Sequence, residues 1–141
     1  MSELIEGGVL FLCPHNAAKS VIAVAYFEAY AAGAGLQIGV DSAGTEPDAA
    51  VWPSVVEVLS EDGLEARVRP PRQVTAQDLE QAGMVISMGC ELADLPGPTA
   101  RPVERWDDLP LASQDLAASR DAIRSRVERL VTELGRATDP G

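Results

Sequence analysis

Val9-Leu10-Phe11-Leu12 is an unbroken apolar run, and Met84-Val85-Ile86-Ser87-Met88 is nearly one. Runs of this length without polar alternation predict strands covered on both faces. Two weaker strand signals accompany them: Gln37 to Ser42, leaving through Ser42-Ala43-Gly44-Thr45, and Arg101 to Trp106, where Val103 and Arg105 alternate. Between the strands the apolar spacing lengthens to three and four. Lys19 opens an alanine-rich helix in which Val21, Val24, Phe27 and Tyr30 recur at helical intervals and which Gly33 and Gly35 end. Asp48 to Asp62 carries Val51, Val55, Val58 and Leu59 on one stripe, with Pro53 tolerable only in a first turn. Thr75 to Asp78 resembles a capping box for a short helix that Gly83 closes. From Ala112 to Gly135, Leu116, Ile123, Val127, Leu130, Val131 and Leu134 share a face and Arg120, Arg124 and Arg129 lie off it, the pattern of an amphipathic docking helix. Residues 65–74, with Arg67, Arg69 and Arg72, predict an irregular, solvated connection. Strands alternating with helices predict an α/β fold built on a parallel sheet, and 141 residues suffice for one domain with a proper core.

The candidate chemistry lies where the first strand ends. Cys13 terminates the apolar run, Pro14, His15, Asn16, Ala17 and Ala18 form a short loop, and Lys19-Ser20 begins the helix. A strand that feeds a helix through a tight loop aims backbone N–H groups and the positive helix end at one point, which makes an anion site. A cysteine in that cradle reads as a thiolate nucleophile toward a tetrahedral oxyanion such as phosphate or arsenate. Lys19 adds a full positive charge, and Ser20 can donate a hydrogen bond to the sulfur. The plainer alternative is that Cys13 is a small buried hydrophobe at a strand end. A nucleoside-triphosphate loop is weakly matched. Lys19-Ser20 fits its last two positions, but Cys13 and Ala18 stand where it needs glycines.

Composition narrows the partners. With 22 acidic and 11 basic side chains the net charge is −11, which argues against nucleic acid. Oxyanion binding must therefore be local, within a Debye length of about 8 Å. No apolar run reaches the length of a membrane span, and the acidic segment Met1–Gly8 does not read as a signal peptide. The expected location is the cytoplasm. There, two cysteines far apart in sequence, Cys13 and Cys90, read as catalytic or redox-active rather than as a structural bridge. One histidine and two distant cysteines make no metal-ligand set.

Cys13, five residues, a basic residue and Ser20 resemble the C-x5-R-[ST] loop of the low-molecular-weight protein tyrosine phosphatases and of the thiol-linked arsenate reductases that share their fold. His15-Asn16-Ala17 is most similar to the actinobacterial arsenate reductases, with Lys19 in place of the family's arginine. The resemblance spans about residues 8 to 135. It implies a four-stranded parallel sheet in the order 2-1-3-4 with helices on both faces. It also implies a loop asparagine, Asn16, that braces the site, and a Ser42-Ala43-Gly44-Thr45 segment packed beside it. In that family a late aspartate, in an Asp-Pro pair, protonates the leaving group. Here the pair is broken, and Asp108 is the choice, with Asp107 second. Cys90 stands where arsenate reductases carry a second redox cysteine. No third cysteine exists for a relay, which leaves a Cys13–Cys90 disulfide or an external thiol of the mycothiol or thioredoxin type. The resemblance thus implies arsenate reduction first and phosphomonoester hydrolysis second. Tyrosine phosphate would need aromatic walls, for which Tyr26, Phe27, Trp52 and Trp106 are the few candidates. An oxyanion-binding module that no longer turns over is the rival from another class.

Overall fold

A computed structural model of the chain describes residues 7–138. Four strands, β1 (Val9–Leu12), β2 (Val40–Ala43), β3 (Met84–Ser87) and β4 (Val103–Arg105), form one parallel sheet in the order β2-β1-β3-β4. The helices are α1 (Lys19–Gly33), α2 (Pro53–Ser60), α3 (Ala76–Gln81) and α4 (Leu116–Thr138). β1 is flanked on both edges: Val9 pairs with Val40 and Met84, and Leu12 pairs with Ala43 and Ser87. With neighbours on both edges and helices on both faces it has no wet side, which is why it is apolar throughout.

The two-residue period of the strands divides the core. Val9, Phe11, Ile86 and Met88 point into a cluster with α1, α2 and α4, whereas Leu10, Leu12 and Val85 pack with Val74, Ala82 and Leu79 of α3. Alanine lets α1 lie close to the sheet, so every residue from Ser20 to Phe27 is buried. Phe27 meets Phe11 edge-on with ring centroids 6.1 Å apart, and Trp106 tilts onto Phe11 at 5.8 Å. Burial of one such large side chain contributes roughly 1.5–3 kcal/mol.

The expected elements are present with shifted ends. β2 begins at Val40 rather than Gln37, because β1 starts at Val9 and offers no earlier partner. α2 begins at Pro53 rather than Asp48, where a proline fits. α4 begins at Leu116, behind an Asp115 carboxylate that accepts from the Ala118 N–H at 2.9 Å, and continues through Gly135 to Thr138. The Thr75/Asp78 capping box is formed. Most of the acidic N-terminal segment lies outside the described residues. Among those described, no helix is long and apolar enough to cross a membrane.

One polar tie joins α1 to α4. The Tyr26 hydroxyl donates to Asp62 Oδ2 at 2.6 Å, and Asp62 also accepts from Arg124 at 3.2 Å. Burial, reinforced by Asp62, pushes the Tyr26 phenol up to about 12. The Tyr26 hydrogen bond in turn holds the Asp62 carboxyl below its usual range. A depressed carboxyl stabilises the fold above its unfolded pKa and loses that contribution as pH falls. Tyr26→Phe should therefore cost about 1 kcal/mol in urea unfolding at neutral pH and less in acid, where Asp62 is protonated in both proteins.

Candidate active site

β1 delivers Cys13 to the carboxyl end of the sheet, and residues 14–18 turn the chain into α1. Asn16 holds the turn. It is fully buried with φ of +48°, a left-handed conformation that asparagine tolerates better than most residues. Its Oδ1 accepts from the Arg72 N–H at 2.9 Å, so its Nδ2 must be the donor to Ser20 Oγ at 2.7 Å and Ser42 Oγ at 3.0 Å. Ser20 Oγ thus already accepts from Asn16, and its own hydrogen is free to point at Cys13 Sγ, 3.0 Å away. The bracing role implied for Asn16 is therefore a set of contacts to α1, β2 and the connection before α3.

The loop's backbone is polarised. Its carbonyls face outward: Pro14 O accepts from Glu46 N at 2.8 Å, His15 O from Asp48 N at 2.9 Å, and Ala17 O from Trp52 N at 3.2 Å. Among the described residues, the N–H groups of His15, Asn16, Ala17 and Ala18 have no protein acceptor. Pro14, expected among the loop residues, has no N–H to offer. α1 carries no side-chain cap and no acid in its first turn, so its positive end is also unopposed. Successive free donors beside an uncapped helix start form an anion nest. Gly44 makes the close packing feasible: a Cβ there would lie 2.5 Å from Pro14 O and 2.9 Å from Cys13 O.

Cys13 lines a cavity of about 160 Å³ together with Pro14, His15, Ala17, Ala18, Lys19, Trp52, Met88 and Leu111–Ser113. None of the ion pairs among the described residues uses Lys19, so its charge is available to a ligand. Trp52 was one of four aromatic candidates for a wall and is the one that lines the cavity; Tyr26, Phe27 and Trp106 are buried in the core. No group of three or more His, Cys, Asp or Glu side chains among the described residues is placed to hold a metal.

Asp108, its alternative Asp107, and Cys90 do not line this cavity. Asp108 projects into solvent with its side chain 73% exposed and pairs with Arg126 of α4 at 2.5 Å. That hydrogen bond holds its carboxyl below the usual range, the opposite of what a proton donor needs. Asp107 pairs with Arg105 at 2.7 Å. Cys90 follows Gly89, whose φ of +102° turns the chain after β3, and it packs in the Leu10, Leu12 and Val85 cluster, whereas Cys13 belongs to the cluster on the other face. Burial first, and the neighbouring Cys13 sulfur second, push the Cys90 thiol up to about 11. The N–H of Cys90 donates to Ser87 Oγ at 3.0 Å, which fixes its backbone.

Residues 8–105 match the family model of the low molecular weight phosphotyrosine protein phosphatases. The chain belongs to this family. An arsenate reductase from Archaeoglobus fulgidus is 32% identical and superposes with a TM-score of 0.69, covering 88% of this chain and 98% of that one. A thioredoxin-dependent arsenate reductase from Corynebacterium glutamicum is 28% identical with a TM-score of 0.74, over 93% of this chain and 63% of that one. A low molecular weight phosphotyrosine phosphatase from Vibrio cholerae shares the fold at a TM-score of 0.81 and 22% identity, over 94% and 99% of the two chains. The sheet order and the helices on both faces agree with these relatives.

Ser42, in the segment that the resemblance places beside the loop, and the Arg72 backbone amide carry the loop. The amide did not stand out in the sequence, because a backbone N–H leaves no mark in a side-chain pattern. The 65–74 connection is also less solvated than its arginines suggest. Arg69 pairs with Glu28 and donates to Val40 O at 2.7 Å, and Arg72 holds Asp78 at 2.9 Å.

Proposed function

We propose that this chain is an arsenate reductase whose nucleophile is Cys13. The observation that carries the reading is the combination of four unsatisfied loop amides with a cysteine sulfur 3.0 Å from the Ser20 hydroxyl. The Cys13 thiolate attacks arsenic, an oxygen leaves, and the oxyanion rests against the loop N–H groups and Lys19. The Ser20 hydroxyl steadies the sulfur when it later departs. A second thiolate then attacks the Cys13 sulfur. The sulfur–arsenic bond breaks, its electron pair reduces arsenic from V to III, and a disulfide remains on Cys13.

The second thiol is external in this reading. Cys90 is buried, its thiol is raised far above neutral pH, and it lies in the other packed cluster. The reductant is a small thiol of the mycothiol type or a thioredoxin, and two equivalents of thiol are consumed per arsenite. Hydrolysis of phosphomonoesters through a cysteinyl phosphate is the second reading. It draws on Trp52 and Leu111, which give the cavity apolar walls for an organic leaving group.

The test is a parallel assay of the purified protein with arsenate plus mycothiol, with arsenate plus thioredoxin and its reductase, and with an aryl phosphate. Arsenite release with either thiol supports the first reading, and phosphate release alone replaces it with the second. Lys19 supplies a prediction common to both. Lys19→Ala should weaken arsenate and phosphate binding by about tenfold to a hundredfold, the equivalent of roughly 1.5–3 kcal/mol for a charged hydrogen bond. Lys19→Arg should bind at least as tightly, because its planar fork can hold two oxygens at once. Calorimetric titration with inorganic phosphate measures both.

A further inference from the structure

With Asp107 and Asp108 held in ion pairs at Arg105 and Arg126, no carboxylate among the described residues lines the Cys13 cavity. Its titratable lining residues are Cys13, Lys19 and His15. Cys13 is occupied as nucleophile, and Lys19 serves best as a fixed cation. His15 has a built environment of its own. Its Nδ1 lies 3.0 Å from the Glu46 carbonyl oxygen and 3.4 Å from Asp48 Oδ1. A carbonyl can only accept, so Nδ1 carries a hydrogen and Nε2 is the nitrogen left to exchange a proton. Asp48 is itself positioned: its N–H donates to His15 O at 2.9 Å, and its Oδ2 accepts from Trp52 Nε1 at 3.4 Å. One carboxylate thus bridges two residues of the cavity wall.

We propose that His15 is a catalytic residue, the proton donor to the leaving oxygen, with Asp48 as the positioning residue that holds the imidazole. The proposal rests on the Cys13 mechanism above. For arsenate, the Cys13 thiolate forms a sulfur–arsenic bond and one arsenic–oxygen bond breaks. The departing hydroxyl takes a proton from the imidazolium Nε2 and leaves as water. Cys13 thiolate, monohydrogen arsenate and imidazolium become the Cys13–S–AsO₃ dianion, water and neutral imidazole. Arsenic stays at V in this step, and the later attack by external thiol reduces it. With an aryl phosphate the same proton goes to the phenolic oxygen.

The imidazole is contacted by Asp48 from the loop after β2 and by the Glu46 carbonyl, and the other titratable groups lining the cavity are Cys13 and Lys19 from its own loop and α1. The further lining residues Met88 and Leu111–Ser113 contribute no charge. Half-exposed at the cavity mouth, His15 can be reprotonated from water between turnovers.

The test is the dependence of kcat/KM on leaving-group acidity, with phenyl phosphate and 2,4-dinitrophenyl phosphate as the poor and good leaving groups. A poor leaving group needs the proton and a good one does not. For His15→Gln the loss on phenyl phosphate should exceed the loss on 2,4-dinitrophenyl phosphate by about thirtyfold or more, within the usual range for general acid catalysis. The basic limb of the wild-type pH profile should vanish in the same variant. Asp48→Asn should show the same discrimination at about a third of the size on a logarithmic scale, because it only orients the ring. Equal losses on both substrates, with the pH profile retained, would overturn His15 as proton donor and leave the Cys13 mechanism standing. If the wild-type protein turns over neither aryl phosphate nor arsenate, the Cys13 mechanism and the His15 proposal both fail.

Discussion

Cys13→Ser should abolish arsenate reduction, with a loss of about a thousandfold or more, because no other group in the cavity can form the sulfur–arsenic bond. Serine matches cysteine in shape, and the Asn16 contacts to Ser20, Ser42 and the Arg72 amide do not involve the sulfur. The variant should therefore unfold at nearly the wild-type temperature and still bind phosphate through the loop amides and Lys19. Arsenite release, thermal unfolding and phosphate titration distinguish a lost nucleophile from a lost site. Retention of more than about a tenth of the activity would place the nucleophile elsewhere.

The second large effect is expected at a residue with no side chain. Gly44 is clamped from one side, where its N–H donates to Arg72 O at 2.9 Å and its carbonyl accepts from Val74 N at 2.9 Å. On the other side its Cα faces the Cys13 loop. A methyl group there would meet Pro14 O at 2.5 Å, Cys13 O at 2.9 Å and Asn16 Cβ at 3.0 Å. These are backbone atoms and a buried Cβ, none of which can swing aside. Gly44→Ala should cost about 1–3 kcal/mol or more as overpacking. It should also displace the anion nest, lowering activity by about a hundredfold, as an error near 1 Å in positioning does. A variant with wild-type stability and activity would show that β2 and the Cys13 loop are less closely packed than described.

The sheet was legible because parallel strands must be apolar on both faces. Val9–Leu12 and Met84–Ser87 announced themselves, while β4, with Glu104 and Arg105 exposed, gave only a faint alternation. The order of the strands came from the resemblance, since nothing in a run of apolar residues names its neighbours. Cys13, Lys19 and Ser20 were legible because nucleophile, cation and hydroxyl fall within one short span of chain. Asp108 was not. Its partner Arg126 lies on α4, and only the folded chain shows that this ion pair turns the carboxylate away from the cavity. His15 was visible as a loop residue, but its significance depends on Asp48 and the Glu46 carbonyl, which reach it only because β2 ends beside β1. Cys90 illustrates a different limit. Its distance from Cys13 in sequence is silent about which side of the sheet it packs on, and that side is set by the turn at Gly89.

The central claim is that Cys13 is the reactive thiol and that its loop binds the oxyanion. Alkylation with limiting iodoacetamide at neutral pH, followed by peptide mapping with and without arsenate, tests both halves at once. The label should appear on Cys13, and saturating arsenate should suppress it. Cys90, buried and with its thiol pushed up to about 11, should stay unlabelled under either condition. Labelling of Cys90 before Cys13, or labelling of Cys13 that arsenate leaves unchanged, would contradict the account.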